Sequence, residues 1–256
     1  MGKKIAAVII VMVVCAVGVV LWSLAGKEKN QSGEKVPSAL GTTKQEWKEE
    51  EIAPDKLIIF GTYEQDGNED NGKEPLEWII LDKHDDKMLV ITRYIIDSHR
   101  YNIREDTTWE TSEMREWLNG EVLEETFTEE ERERILSSEL ENPDNPDSLV
   151  EGGNATIDYI FLLSTEEVIE YFEKPSDAKA YKTAYVVDKM VFINDENQEK
   201  LDNGEKLAAG WTLRTPGLDS MHVSGAYSYG SLLNTSGNEV SNNSNNIRPA
   251  MWITIE

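Results

Sequence analysis

Residues 211–217 read WTLRTPG, and residues 245–256 close the chain with NNIRPAMWITIE. In both stretches apolar side chains alternate with other residues, which is the period of a β-strand. Pro216 and Gly217 predict a turn after the first strand, and Pro249, which lacks an N–H donor, suits the opening of the second. The residues of this repeated motif are Trp211, Arg214, Pro216, Gly217, Arg248, Pro249 and Trp252.

The two arginines of the motif allow two interpretations. In the first, the stretches are neighbouring strands of one sheet, and carboxylates or carbonyls from the middle of the chain hold Arg214 and Arg248 through charge-assisted hydrogen bonds. In the second, the two guanidinium groups form an anion-binding pair. The strand pattern favours the first interpretation, in which the motif belongs to the fold and the function lies in the loops.

The order of the remaining elements indicates the fold class. Residues 56–64 and 76–96 are rich in Ile, Val, Tyr and Trp and predict three strands, the last two joined by a tight hairpin. Helical spacing follows, with Thr128 and Glu131, and then Ser164 and Glu167, in capping-box positions, and Gly120 is predicted to end a helix. Short strands return from Trp211. Strands, then helices, then strands predict an α+β domain.

The N-terminus predicts a membrane anchor. Residues 5–25 contain no charge and no proline, and a helix of about 30 Å crosses a bilayer. The lysines within residues 1–4 favour a cytoplasmic tail. Residues 26–54 are polar and predict a flexible stalk, which leaves 55–256 as a globular domain outside the cell membrane. The alternative is a secreted protein, released by signal cleavage between Ala25 and Gly26.

The composition excludes several classes of partner and site. A formal net charge of −24 repels nucleic acid and anionic lipid surfaces. Cys15, the single cysteine, lies within the predicted span, so the exported part has no disulfide, thiol nucleophile or cysteine metal site. No phosphate-binding glycine loop is present, and the three histidines lack zinc-ligand spacing.

One acidic loop resembles a calcium-binding loop. Asp66, Asn68, Asp70 and Glu77 occupy positions 1, 3, 5 and 12 of that pattern. However, the sixth position is Asn71 instead of glycine, and the flanks look like strands. The sequence therefore favours a solvated hairpin loop, with calcium as the only cofactor that it suggests.

Two further sets of residues are candidate sites. Residues 234–246 form a polar stretch that predicts a contact loop, with Asn234, Asn238, Asn242 and Asn245 as its amide side chains. Asp219, His222 and Glu239 are the titratable residues that a catalytic pocket could use, although no nucleophile motif accompanies them.

Several blocks taken together resemble an uncharacterised bacterial domain family. They are FGTYE (60–64), EWIILD (77–82), TTWETSEMREWLN (107–119), WTLRTPG (211–217) and IRPAMWI (247–253), and the resemblance spans about 57–255. More loosely, the chain is similar to the C-type-lectin-like superfamily that includes formylglycine-generating enzymes. That similarity implies one domain with its N- and C-terminal strands in one sheet and helices in the middle. The copper-binding cysteines of those enzymes and the calcium and sugar motifs of lectins are absent.

These observations predict a membrane-anchored extracytoplasmic binding module without a catalytic site, for an unknown protein or cell-wall glycan. Two alternatives stay open. One is a cell-wall hydrolase acting on glycan or peptide, and the other is a sensory or structural partner of another membrane protein.

Overall fold

A computed structural model describes residues 52–103 and 107–255 of the chain. The predicted tail, the predicted span 5–25 and the predicted stalk up to residue 51 lie outside these residues. Within the described ranges, no helix is both long enough and apolar enough to cross a membrane.

The long strands lie at the two ends of the domain, as predicted, but several short strands are interspersed among the helices of the middle. The strands are β1 Leu57–Tyr63, β2 Glu74–His84, β3 Lys87–Thr92, β4 Asp97–Ser98, β5 Ile135–Leu136, β6 Ser138–Leu140, β7 Thr156–Asp158, β8 Ala180–Tyr181, β9 Ala208–Ala209, β10 Trp211–Pro216, β11 His222–Ala226, β12 Leu232–Glu239, β13 Asn246–Ile247 and β14 Ala250–Thr254. The α-helices are α1 Glu113–Trp117, α2 Leu123–Thr126, α3 Glu129–Arg134, α4 Thr165–Tyr171, α5 Ala184–Asp188 and α6 Asp195–Asp202. The mixed α+β class is confirmed.

The main sheet contains both ends of the described domain. Its order is β1-β2-β3-β14-β5, and every pairing is antiparallel. Ile91 of β3 and Met251 and Ile253 of β14 are fully buried in its core. The first and last long strands therefore share one sheet, as the resemblance implies, but they are not paired with each other, because β2 and β3 lie between them.

The helical middle begins and ends where side chains cap the backbone. Ser112 accepts a hydrogen bond from the N–H of Arg115 (3.2 Å) and opens α1. Both capping boxes form, one at Thr128 and Glu131 and the other at Ser164 and Glu167. The prediction that Gly120 ends a helix is wrong, because a π turn, Leu118–Val122, links α1 directly to α2.

The two motif strands lie in different sheets, which corrects the prediction that they are neighbours. β10 forms a three-stranded sheet with β11 and β12. β14 pairs with β3 along one edge and with β5 along the other, so it offers β10 no free edge over its central residues.

The five tryptophans among the described residues differ in burial. Trp78, Trp109 and Trp211 are fully buried, as large aromatic side chains in a core are expected to be. Trp117 and Trp252 are only partly buried, and each packs against a histidine ring, His99 at 4.6 Å and His84 at 5.9 Å between centroids.

Candidate functional site

Arg214 is a structural residue with a full set of partners. Its Nη1 donates to a carboxylate oxygen of Glu167 and to the carbonyl of Leu162 (2.8 Å). Its Nη2 donates to the other oxygen of Glu167 (2.9 Å) and to the carbonyl of Glu141 (3.0 Å), while Nε donates to Asn142 (3.2 Å). Because all five N–H donors are used, Arg214 has no donor left for a ligand.

Arg248 has a different environment. Its side chain is fully buried, and it donates only to the carbonyls of Thr92 (2.9 Å) and Ala178 (3.4 Å). The guanidinium lies 5.1 Å from the ring centroid of Trp211 and 5.8 Å from that of Phe172, which is the distance range of cation–π contacts. Nη2 finds no partner in the described part of the chain. Burial therefore lowers the pKa of Arg248 to about 9.

The acidic loop after β1 gathers a different set of carboxylates from the predicted one. Glu64, Asp66 and Glu74 lie with one oxygen each within 4.8 Å of one another. Glu77 lies in β2 and pairs with Arg93 at 2.7 Å, so it is not part of this group. The Glu64 carboxylate accepts from the N–H of Gly67 (2.7 Å), and that of Glu74 from the N–H of Gln65 (2.8 Å).

Within the loop, Asn68 and Asp70 shape the turn. Asp66 accepts from the N–H of Asn68 (2.8 Å), and the Asn68 side chain accepts from the N–H of Asp70 (3.3 Å). A hydrogen bond from the Asn71 amide lowers the pKa of Asp66. The carboxylates and amides of this loop thus satisfy its own backbone.

The four asparagines of the predicted contact loop have separate positions. Asn234 and Asn238 lie in β12. The Asn234 side chain accepts from Thr165 (3.2 Å), and the buried Asn245 donates to the carbonyl of Glu239 (2.9 Å). Asn242 accepts from the N–H of Ser244 (2.8 Å). Only residues 240–245, between β12 and β13, are a loop in the predicted sense.

The structure brings the three titratable candidates close together. His222 Nδ1 lies 2.6 Å from an oxygen of Asp219, and this hydrogen bond lowers the pKa of Asp219. Glu239 is the cross-strand partner of His222. Glu239 is exposed and Asp219 is half-exposed at the end of the β10–β12 sheet.

A cavity of about 490 Å³ lies away from Asp219, His222 and Glu239, and the sequence did not predict it. Four segments line this cavity, which we name the Lys182 pocket. They are Gln65 after β1, Tyr94 after β3, 182–188 around α5, and 201–207 between α6 and β9. A volume in this range is typical of small-molecule sites.

Backbone hydrogen bonds hold the walls of the pocket in place. Lys182 N–H donates to Leu207 O (2.9 Å), and Thr183 N–H donates to Ile95 O (3.2 Å). Tyr185 N–H donates to Gln65 O (3.0 Å), which fixes α5 against the loop after β1. The pocket is therefore built from ordered backbone, although its residues come from four distant parts of the chain.

Lys182 is the distinctive residue of the pocket. The other charged residues that line it, Asp188, Glu205 and Lys206, are exposed, whereas Lys182 is half-buried. Its ammonium has no ion pair and no side-chain hydrogen bond in the part of the chain that the structure describes. Burial lowers the pKa of Lys182, because an apolar environment disfavours the charged form. No motif in the sequence signals this environment, which depends on contacts across four segments.

A buried carboxylate fixes the other side of α5. Asp97 accepts from Lys189 Nζ (2.6 Å) and from the hydroxyl of Tyr63 (2.5 Å). Lys189 Nζ also lies 4.1 Å from the ring centroid of Tyr185. Burial and Asp97 together raise the pKa of Tyr63. This group attaches α5 to strands β1 and β4.

Comparison with known proteins identifies one related family. Residues 85–255, more than half of the chain, match the family described as a domain of unknown function (DUF6273). No curated protein and no solved structure matches the chain. The match confirms the predicted membership of an uncharacterised domain family and begins after β2.

Proposed function

The chain belongs to the DUF6273 family, and we propose that this member is a membrane-tethered extracytoplasmic binding module whose ligand site is the Lys182 pocket. The ligand is a small organic molecule with a carboxylate group on an apolar body. The proposed anchor and stalk rest on the sequence patterns of residues 5–25 and 26–54. The proposed ligand site rests on the geometry around α5.

One observation supports this ligand class above all others. Lys182 presents an unpaired ammonium in a cavity whose walls include the side chains of Tyr94, Val187 and Leu207. An ammonium that burial has partly stripped of water gains most from an anion that replaces the lost hydration. The apolar walls favour a ligand with an apolar body, since they release water on contact.

The charge of the whole protein restricts the ligand further. The formal net charge is −24, so a large polyanion is repelled before it reaches the pocket. A single carboxylate on a small molecule feels much less of this repulsion, because salt screens it beyond about 8 Å at physiological ionic strength. Nucleic acid is therefore not proposed as a partner.

Replacing Lys182 by methionine tests the proposal. The probes are phenylacetate and its neutral counterpart phenylacetamide, titrated calorimetrically into the full chain in detergent micelles. We expect the wild type to prefer phenylacetate, and Lys182→Met to weaken phenylacetate binding by about tenfold or more, the effect of one charge-assisted hydrogen bond.

Lys206→Met is the matched control, because Lys206 lines the same pocket from an exposed position. It should change phenylacetate affinity much less than Lys182→Met does. Equal affinities for the acid and the amide, or equal losses in the two variants, would refute the proposal that Lys182 recognises an anion.

A hydrolase is the second candidate function, because the Asp219–His222 hydrogen bond of 2.6 Å has the geometry that orients a general base. Its reaction would be hydrolysis of cell-wall glycan or peptide. Loss of cell-wall turnover in His222→Ala cells, with turnover kept in Lys182→Met cells, would favour the hydrolase over the binding module.

We further propose that the domain has the C-type-lectin-like fold. The sharing of one sheet by β1 and β14, with the helices between them in sequence, supports this assignment. An experimental structure whose sheet order and helix positions superpose on that superfamily would establish it.

A further inference from the structure

A second cavity, of about 260 Å³, lies against a different face of α5 from the Lys182 pocket. Val186, Lys189 and Met190 form its helix side, and Ser98, Asn243 and Ser244 form the facing side. Hydroxyl, amide and ammonium groups thus line a small cavity together with the apolar side chain of Met190, while Val186 is fully buried.

The turn on the facing side is rigid. Asn242 N–H donates to Glu239 O (3.1 Å), and the Asn242 side chain accepts from Ser244 N–H (2.8 Å). Asn245 O accepts from His99 N–H (2.9 Å), which joins the turn to the main body. The turn therefore holds Asn243 and Ser244 at the cavity before any ligand arrives, which lowers the entropy lost on binding.

The side chains of Asn243 and Ser244 have no protein partner in the described part of the chain. A carboxamide offers two donors and an acceptor, and a hydroxyl offers a donor and two acceptors. The two residues can therefore donate to and accept from neighbouring groups of one ligand.

The residues that line the cavity provide no unpaired positive charge for an anion. Its single cationic group, Lys189, already pairs with the buried carboxylate of Asp97 at 2.6 Å. The hydrogen bonds to Asp97 and Tyr185 outweigh the effect of burial and raise the pKa of Lys189. An anionic ligand would have to compete with Asp97, whereas a neutral polar ligand leaves this ion pair intact.

We propose that this cavity binds one ring of an uncharged saccharide that carries hydroxyl and amide groups. Asn243 and Ser244 hydrogen-bond the ring substituents, Lys189 offers a further N–H donor, and Met190 contacts the C–H surface of the ring. This site is separate from the Lys182 pocket.

The test is a titration of the full chain in detergent micelles with the disaccharide of N-acetylglucosamine, followed by NMR of the Asn243 side-chain amide. We expect the disaccharide to shift this signal. The double variant Asn243→Ala/Ser244→Ala should weaken binding at least about fivefold, as expected when two neutral hydrogen bonds are lost.

Ser228→Ala is the control, because Ser228 is an exposed serine in another turn and should leave saccharide binding unchanged. Glucuronate, which carries a carboxylate, should bind more weakly than the neutral disaccharide. The proposal is overturned if the disaccharide causes no shift at millimolar concentration, if the double variant binds like the wild type, or if glucuronate binds as well.

The proposals for the two sites can be tested independently of each other. Lys182→Met should keep saccharide affinity, and the double variant should keep phenylacetate affinity. Loss of both ligands in either variant would indicate a shared site or a general loss of structure, and would overturn the proposal of a separate saccharide cavity.

Discussion

Arg214→Ala is expected to lower the free energy of unfolding by about 3–5 kcal/mol, the cost of breaking a buried ion pair on one side. Only 3% of the Arg214 side chain is exposed, and its removal leaves Glu167 and two carbonyls without their donor. Glu167 also accepts the N–H of Ser164 (2.8 Å) in the capping box of α4, so the start of that helix loses support as well. Chemical denaturation followed by tryptophan fluorescence measures the change.

Arg100→Ala is the matched control for this change. Arg100 forms an ion pair with Glu113 at 2.7 Å, but both side chains are about one third exposed. Such a pair contributes about 0–1 kcal/mol. If Arg214→Ala fails to fold, Arg214→Lys keeps the charge without the planar fork and should show an intermediate loss. Equal stability of the Arg214 and Arg100 variants would contradict the structural role of Arg214.

Gly230→Ala is the second change with a large expected effect. Gly230 has φ of +92°, which side chains rarely adopt, and an added Cβ would lie 1.6 Å from the carbonyl oxygen of Pro175. The hairpin between β11 and β12 must then move away from residues 175–179. We expect a loss of roughly 3 kcal/mol or more, the range of severe backbone and packing faults.

The consequence of Gly230→Ala extends to the core. Ala178, in the displaced segment, accepts from Trp211 Nε1 (2.9 Å) and from Arg248. Gly72→Ala is the control, because Gly72 has φ of +89° but nothing lies within 4 Å of an added Cβ. It should cost about 1–2 kcal/mol, the cost of the backbone conformation alone. Similar losses in both variants would show that the contact with Pro175 is unimportant.

Local signals in the sequence predicted local structure well. Thr128 with Glu131 and Ser164 with Glu167 form their capping boxes because these bonds lie within four residues and need no tertiary partner. Alternation in β14 separates the buried Met251 and Ile253 from the partly buried Trp252 and Thr254, although Ala250, on the same face as Trp252, is also buried. Gly120 was misread because its neighbours Leu118 and Val122 are buried, and their packing keeps the chain helical through the glycine.

Pairing between distant strands could not be predicted from the motif alone. WTLRTPG and IRPAMWI have the same alternation, but alternation states only that a segment is a strand. β10 cannot pair with β14 at Trp252 and Ile253, because β5 already pairs there. β5 is a two-residue strand that follows α3. So short a strand has no recognisable pattern of its own.

The Lys182 pocket could not be predicted either, because it also depends on contacts between distant segments. In the sequence, Lys182 is one of 25 basic residues, and nothing nearby distinguishes it. Its burial arises when Tyr94, α5 and the segment before β9 meet, and these contacts span more than a hundred residues. The asparagine stretch, in contrast, was recognised from composition, although only its turn, 242–245, borders a cavity.

In the proposed site, Lys182 carries an accessible, partly desolvated charge that an anionic ligand neutralises. An NMR titration of the lysine side chains in the full chain tests this proposal most directly, with the Lys182 signal assigned by its loss in Lys182→Met. Without ligand, we expect Lys182 to titrate below the ordinary lysine pKa of 10.5. Saturating phenylacetate should raise this pKa, because an adjacent anion favours the charged form.

Because binding raises the pKa of Lys182, phenylacetate affinity must depend on pH. Phenylacetate affinity should be constant between the pKa of phenylacetic acid and the pKa of free Lys182, and it should fall as pH rises from that second pKa towards the higher pKa of the complex. A Lys182 pKa at the ordinary value that phenylacetate leaves unchanged would refute the proposed anion site, whereas a lowered pKa that rises on binding is the result we expect.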